Sequence, residues 1–202
     1  QNNADAQYNL GQIYFEGKVV SQNINEAIKL FVLASEQNHP KALNNLGLLY
    51  LEGVHIPRNV NKAIHYLLLA SEQNEPRAQY HLGLVYLEGL CGSQDLNKAI
   101  HYFTLASDQN ISDAQYNLGL IYSDGKYISR DIEKAVYYFT LAAKQNHPSA
   151  QYNLGVIFYE GYYVTRDIAK SIHYLKLAAE QDFSDALYNL GSIYYYGKYV
   201  PR

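Results

Sequence analysis

The stretch Ala6-Gln7-Tyr8-Asn9-Leu10-Gly11 decides the fold, because versions of it return from Ala42, Ala78, Ala114, Ala150 and Ala186. Each copy stands 36 residues after the one before, with no residue gained or lost. Self-similarity at one fixed period means a stack of like units, each too small to bury its own apolar face. The functional question is then what a long surface holds, before it is one of chemistry.

A single unit reads as two helices. In residues 78–113, Ala78, Leu82, Val85 and Tyr86 fall at i, i+4, i+7 and i+8, one helical face. Gly89 follows within a turn and recurs as Gly17, Gly53, Gly125, Gly161 and Gly197, as expected of left-handed helix stops. Asp95, with Asn23, Asn59, Asp131 and Asp167 as counterparts, is an N-cap residue ahead of a second periodic stretch. That stretch carries Ala99, Ile100, Phe103 and Ala106 and closes at Gln109-Asn110. Asn38, Asn74, Asn146 and Asp182 fill the closing slot elsewhere, and these residue types tolerate positive φ. Pro40, Pro76 and Pro148, or Ser112 and Ser184, open the next first helix. The recurrent small residues (Gly83, Ala99 and Ala106 in this unit) predict close helix approach, with Phe103 or Leu67 filling the space beside them. The expectation is an all-α fold, a right-handed solenoid of antiparallel helix pairs.

The pattern A-x-x-x-L-G-x-x-Y-x-x-G, then D-x-x-K-A-x-x-Y-x-x-x-A-A/S-x-Q, resembles the Sel1-like repeat, a 36-residue relative of the tetratricopeptide repeat. The resemblance spans units 6–41, 42–77, 78–113, 114–149 and 150–185 and the half unit 186–202, so residues 1–202 read as one array. Three departures stand out. Tyr66, Tyr102, Tyr138 and Tyr174 occupy a slot where the family often has Trp. Asn or Asp closes the second helix where Gly is usual, and the cysteine pair of some bacterial members is missing. The resemblance implies a protein–protein interaction scaffold or adaptor whose first helices line a concave groove.

Composition narrows the classes further. Net charge is −3 with 17% charged residues, which excludes the basic footprint of a nucleic-acid binder and a polybasic lipid anchor. No apolar run exceeds five residues, too short for membrane insertion or a signal peptide. One cysteine, Cys91, rules out an intramolecular disulfide framework and leans towards a reducing, cytoplasmic compartment. The chain lacks methionine, and Gln1-Asn2 aligns with Gln37-Asn38 at the close of a helix, so the chain reads as a window cut from a longer array.

The first helix is apolar nearly all round, as in Leu46, Leu48, Leu49, Tyr50 and Leu51, so it must be covered on several sides. The stripe at positions 8, 12 and 15 of each unit holds Tyr8, Tyr80, Tyr116, Tyr152 and Tyr188, with Asn44 the exception. Tyrosine is large, rigid and amphipathic, suited to a protein-binding groove. The alternative is packing between adjacent repeats. Beside it runs an amide row, Asn9, Asn45, Asn117, Asn153 and Asn189, broken only by His81. A side-chain amide can pair with both N–H and C=O of an extended peptide, or with inter-repeat backbone. A third row, Glu16, Glu52, Glu88, Asp124 and Glu160, ends the first helices against their dipoles. Either Arg58, Arg130 and Arg166 in the following loops neutralise it, or it forms an acidic rim for basic residues of a ligand.

His65, His101 and His173 share one slot of the second helix, about 10 Å apart on helix-packing distances, too far for one coordination sphere with bonds of about 2 Å. No metal or cofactor site is expected, and no catalytic arrangement: catalysis needs unlike residues converging on a point, whereas here like residues stand in rows. The expected partner is a protein or peptide. Two other readings stay open: end-to-end self-association through exposed repeat ends, or the non-catalytic repeat region of a larger enzyme or signalling protein.

Overall fold

The computed structural model describes residues 3–126 and 128–196; the expected helix stop at Gly197 and the pair Gln1-Asn2 lie outside them. Among the described residues there are eleven helices and no strand. The first helices are α1 (Ala4–Glu16), α3 (Pro40–Glu52), α5 (Pro76–Glu88), α7 (Ser112–Asp124), α9 (Pro148–Glu160) and α11 (Ser184–Tyr196). The second helices are α2 (Ile24–Glu36), α4 (Val60–Glu72), α6 (Leu96–Asp108), α8 (Ile132–Lys144) and α10 (Ile168–Ala179). The chain divides into two compact units, Gln1–Gln109 and Asn110–Arg202. Within each unit a first helix packs along its own second helix, which in turn packs against the next first helix. First helices of neighbouring repeats also touch, α3 with α5 and α7 with α9.

Helix ends form where the residue chemistry calls for them. Asn23, Asn59, Asp95, Asp131 and Asp167 each accept a hydrogen bond from the backbone N–H three residues on, at 2.9–3.1 Å. Gly17, Gly53, Gly89, Gly125 and Gly161 end the first helices with φ of 66–72°. Asn38, Asn74, Asn110, Asn146 and Asp182 sit at φ of 58–62°, the left-handed turn between repeats.

The core is one packing solution used in every pair. A Cβ on Gly11, Gly47, Gly83, Gly119 or Gly155 would come within 2.4–2.7 Å of Phe31, Leu67, Phe103, Phe139 or Leu175. Only glycine lets those large side chains lie on the first-helix backbone. Ala27, Ala63, Ala99 and Ala135 are fully buried beside them. Tyr66, Tyr102, Tyr138 and Tyr174 stack on the preceding first helix: Tyr50 on Tyr66, Tyr86 on Tyr102, Tyr122 on Tyr138, Phe158 on Tyr174, with centroids 5.6–6.1 Å apart. Lys62, Lys98, Lys134 and Lys170 each lie over the first ring of their pair at 4.9–5.3 Å.

Pairs of glutamines thirty residues apart tie the two helices of a repeat together, from the first helix to the end of the second. Gln37, Gln109, Gln145 and Gln181 each donate through Nε2 to the Oε1 of Gln7, Gln79, Gln115 and Gln151, at 2.6–2.8 Å. Gln79, Gln115 and Gln151 are buried, so an unpaired amide there would be costly. Leu43 takes the same slot in the second repeat and joins the apolar core instead.

Candidate functional site

The tyrosine row lies on the first helices as expected, with one edge committed to packing. Tyr8 stacks on His39 and Tyr116 on His147, each with ring centroids 4.6 Å apart, and Tyr152 meets Phe183 at 5.1 Å. The other side of these rings faces the second helix of their own pair, at Phe31 for Tyr8, Phe103 for Tyr80 and Phe139 for Tyr116. All four tyrosines are half-buried, while Tyr188 is 75% exposed. Burial raises the Tyr8 phenol above its ordinary range.

His39 and His147 were not singled out in the sequence, yet each cap is built on one. Their Nδ1 atoms accept from the N–H of Ala42 and Ala150 at 3.2 and 3.3 Å, closing the starts of α3 and α9. Nε2 of His39 meets Asp5 at 3.1 Å, and that of His147 meets Asp113 at 3.4 Å. With Nδ1 accepting, the proton belongs on Nε2 and is donated to the carboxylate. Proline after histidine at residues 39–40 and 147–148 was the available signal.

The amide row divides in its bonding. Asn45 donates to Gln12 Oε1 at 2.9 Å, and Asn117 donates to the Asp113 carbonyl of its own helix at 2.8 Å. Asn189 donates to the Tyr152 hydroxyl at 3.4 Å. Asn9 is exposed; Asn153 is half-buried. The two interruptions of the rows meet one another: Asn44 Oδ1 and His81 Nδ1 are 2.9 Å apart, and Asn44 is buried. Burial first, and Arg77 second, lower the His81 pKa to about 4, so the imidazole is neutral at pH 7.

The acidic residues Glu52, Glu88, Asp124 and Glu160 are exposed at the helix ends. Two of the arginines expected to neutralise them do something else. Arg58 Nε donates to the Leu51 carbonyl at 3.1 Å, and Arg130 donates to the Asp124 carbonyl at 3.1 Å and to the Tyr163 hydroxyl at 2.9 Å. Gln22 does the same for Phe15 at 2.8 Å. The last carbonyls of a helix lack partners within it and carry its negative dipole end, so a loop donor is drawn to them ahead of the mobile carboxylate. The guanidinium of Arg166 lies over the Tyr159 ring at 5.1 Å.

Each unit carries a cleft between first helices at matching repeat positions. In the first unit, Gln12, Phe15, Glu16, Asn45, Leu48 and Glu52 surround a cavity of about 260 Å³ floored by Phe31 and Leu49. In the second, Tyr152, Val156, Tyr159, Glu160, Asn189 and Ser192 surround about 300 Å³ floored by Leu175 and Ile193. Both have an apolar floor, an amide on one wall and carboxylate at one end. Neither gathers the unlike polar groups of a reaction centre, and no group of three or more His, Cys, Asp or Glu side chains able to hold a metal occurs among the described residues. His65, His101 and His173 are exposed on the second helices, each against the tyrosine that follows it.

Helix pairs of constant length, held by glycine and alanine contacts and presenting rows of like side chains, define an α-solenoid repeat protein. The sequence model of the Sel1 repeat matches residues 4–39, 40–75, 76–111, 112–147, 148–183 and 184–202, and the chain belongs to the Sel1 repeat family. Its frame opens each unit at the first residue of a first helix. A Sel1 repeat protein from Oxalobacter formigenes is 31% identical, with a TM-score of 0.90 over 98% of this chain and 80% of that one. A protective antigen of uropathogenic Escherichia coli with an SLR fold is 29% identical, with a TM-score of 0.91 over 97% of this chain and 42% of the antigen. A Sel1 repeat protein from Klebsiella pneumoniae, 23% identical, shares the fold at a TM-score of 0.62 over 95% of this chain and 93% of its own. No curated protein matches the chain. Sel1 repeat proteins are generally protein–protein interaction scaffolds, and the family is generally non-catalytic. No described helix is long and apolar enough to cross a membrane.

Proposed function

We propose that this chain is a non-catalytic scaffold that holds a segment of a partner protein along its first helices. The observation that carries the reading is the recurrence of one cleft, at the same repeat positions, in both units. Tyr152 lines the cleft of the second unit, and Tyr8, Tyr80, Tyr116 and Tyr188 continue its row on the other first helices as half-buried or exposed ring surface, with Asn44 in the one slot that lacks a ring. Asn9, Asn45, Asn117, Asn153 and Asn189, with His81, supply amide and imidazole groups beside the rings, suited to an extended backbone. Glu52 and Glu160 stand at the two clefts, and with the exposed Glu88 and Asp124 at matching helix ends they are assigned to an acidic rim.

Binding and stability separate at two of these residues. Asn117 donates to the Asp113 carbonyl of its own helix, and both Asn117 and Asn153 keep part of their surface exposed, so Asn117→Ala with Asn153→Ala is directed at partner contacts. The expected result is weaker capture of the partner by the full-length protein with an unchanged Tm. A fallen Tm with unchanged capture assigns the row to structure and removes the reading.

A further inference from the structure

We infer that the partner segment is cationic, and that the clefts between first helices take its lysine or arginine side chains. This rests on the groove reading above and adds the chemistry of the occupant. The six first helices carry eight carboxylates against two basic side chains, Lys41 and Arg77, whereas the remainder of the chain is net positive by three. The chain's modest overall charge therefore conceals a separation between the two kinds of helix. In the second unit, α7, α9 and α11 hold no Lys, Arg or His at all.

Helix stability does not account for the rim. Each of Glu52, Glu88, Asp124 and Glu160 stands at the negative end of its helix dipole, where a carboxylate is unfavourable. Among the described residues no ion pair within 4.0 Å engages any of the four. Arg58 and Arg130 stand close by but are bonded to backbone carbonyls. A row of carboxylates kept against local preference and left without counter-ions complements positive charge brought by another chain.

The clefts fit the shape of such side chains as well as their charge. A lysine or arginine has an apolar stem and a charged head. Phe31 and Leu49 floor one cleft and Leu175 and Ile193 the other, while Glu52 or Glu160 stands at the end. Phe15 lines a wall of the first cleft and offers its ring to a cation, while the Tyr159 ring of the second already carries the Arg166 guanidinium at 5.1 Å. Glu16 is paired with Lys18 at 3.0 Å, which leaves Glu52 as the other carboxylate of the first cleft.

Selection from a random twelve-residue phage-displayed peptide library, followed by fluorescence anisotropy with labelled copies of the selected peptides, tests this. Lysine and arginine are expected to outnumber aspartate and glutamate in the selected pool. Glu52→Gln and Glu160→Gln are each expected to weaken binding roughly threefold to tenfold, with the loss shrinking at high salt. Glu72→Gln and Glu133→Gln, at exposed positions of second helices, are expected to leave it unchanged. Neutral or acidic peptides that lose affinity on Asn117→Ala with Asn153→Ala would overturn the cationic inference while the groove stands. Basic peptides insensitive to both sets of groove substitutions would overturn the groove itself, and an empty selection would overturn both.

Discussion

Asn44 and His81 show why single positions in a repeat array cannot be read one at a time. Where a tyrosine and an asparagine fill these two slots in α9 and α11, the Tyr152 hydroxyl takes a hydrogen bond from Asn189 of the next repeat. At the matching place the long and short side chains are exchanged, and Asn44 meets His81 at 2.9 Å. A tyrosine opposite His81 would overfill the space, and an asparagine opposite Asn44 would leave the buried Asn44 amide short of a partner. Asn44→Tyr and His81→Asn are therefore each expected to lower stability, and the double variant to recover it, with a coupling of about 1 kcal/mol in a double-mutant cycle. Additive losses would contradict the exchange. The buried imidazole also sets a pH dependence. Its pKa falls to about 4 on folding from an unfolded value near 6.5, so between those values only the unfolded chain holds the proton. Stability is then expected to be full above pH 6.5 and to decline by about 2–3 kcal/mol as pH falls to 4. Denaturant melts across that range check it, with His81→Asn expected to flatten this part of the profile.

Helices are where the sequence is most legible, because their signals are local. Period, glycine stop, N-cap and left-handed asparagine all act within a few residues, and each expected one among the described residues stands where its chemistry put it. The glutamine pairs and the Tyr–His stacks join residues some thirty apart, and their existence depends on the lateral register of packed helices. Arg58 and Arg130 misled for a related reason: charge type pointed to the carboxylates, while the unfilled carbonyls of the helix end lie nearer and fixed in place. Two expectations belong at this scale. Gly119→Ala puts a Cβ 2.5 Å from the Phe139 ring and is expected to cost about 1–3 kcal/mol in chemical denaturation, since the ring is locked in the core. The cap carboxylates of Asp95, Asp131 and Asp167 are held below their usual range, first by the backbone N–H groups of Lys98, Lys134 and Lys170. Their contribution is present above the unfolded value near 4 and is lost as pH falls through the lower folded values. Replacing all three with Asn, itself a good cap, is expected to leave Tm at pH 7 nearly unchanged and to blunt its fall below pH 4.

At the scale of the molecule, rows replace sites. A repeat that recurs without insertion builds the same cleft in each unit, and the scaffold proposed above draws its binding strength from several such like contacts. The rows themselves were legible in the sequence, and so was packing between repeats as the other use of the tyrosines; how much ring surface that packing covers was not, because burial depends on the neighbouring repeat. Site-specific photocrosslinking in the full-length protein tests the central claim most directly, with benzoylphenylalanine placed at Asn117 or Asn153 on first helices and at His101 or His173 on second helices. The account predicts partner adducts from the two first-helix positions and none from the exposed histidine positions. Adducts of the same partner from His101 or His173, with Asn117 and Asn153 silent, would contradict it.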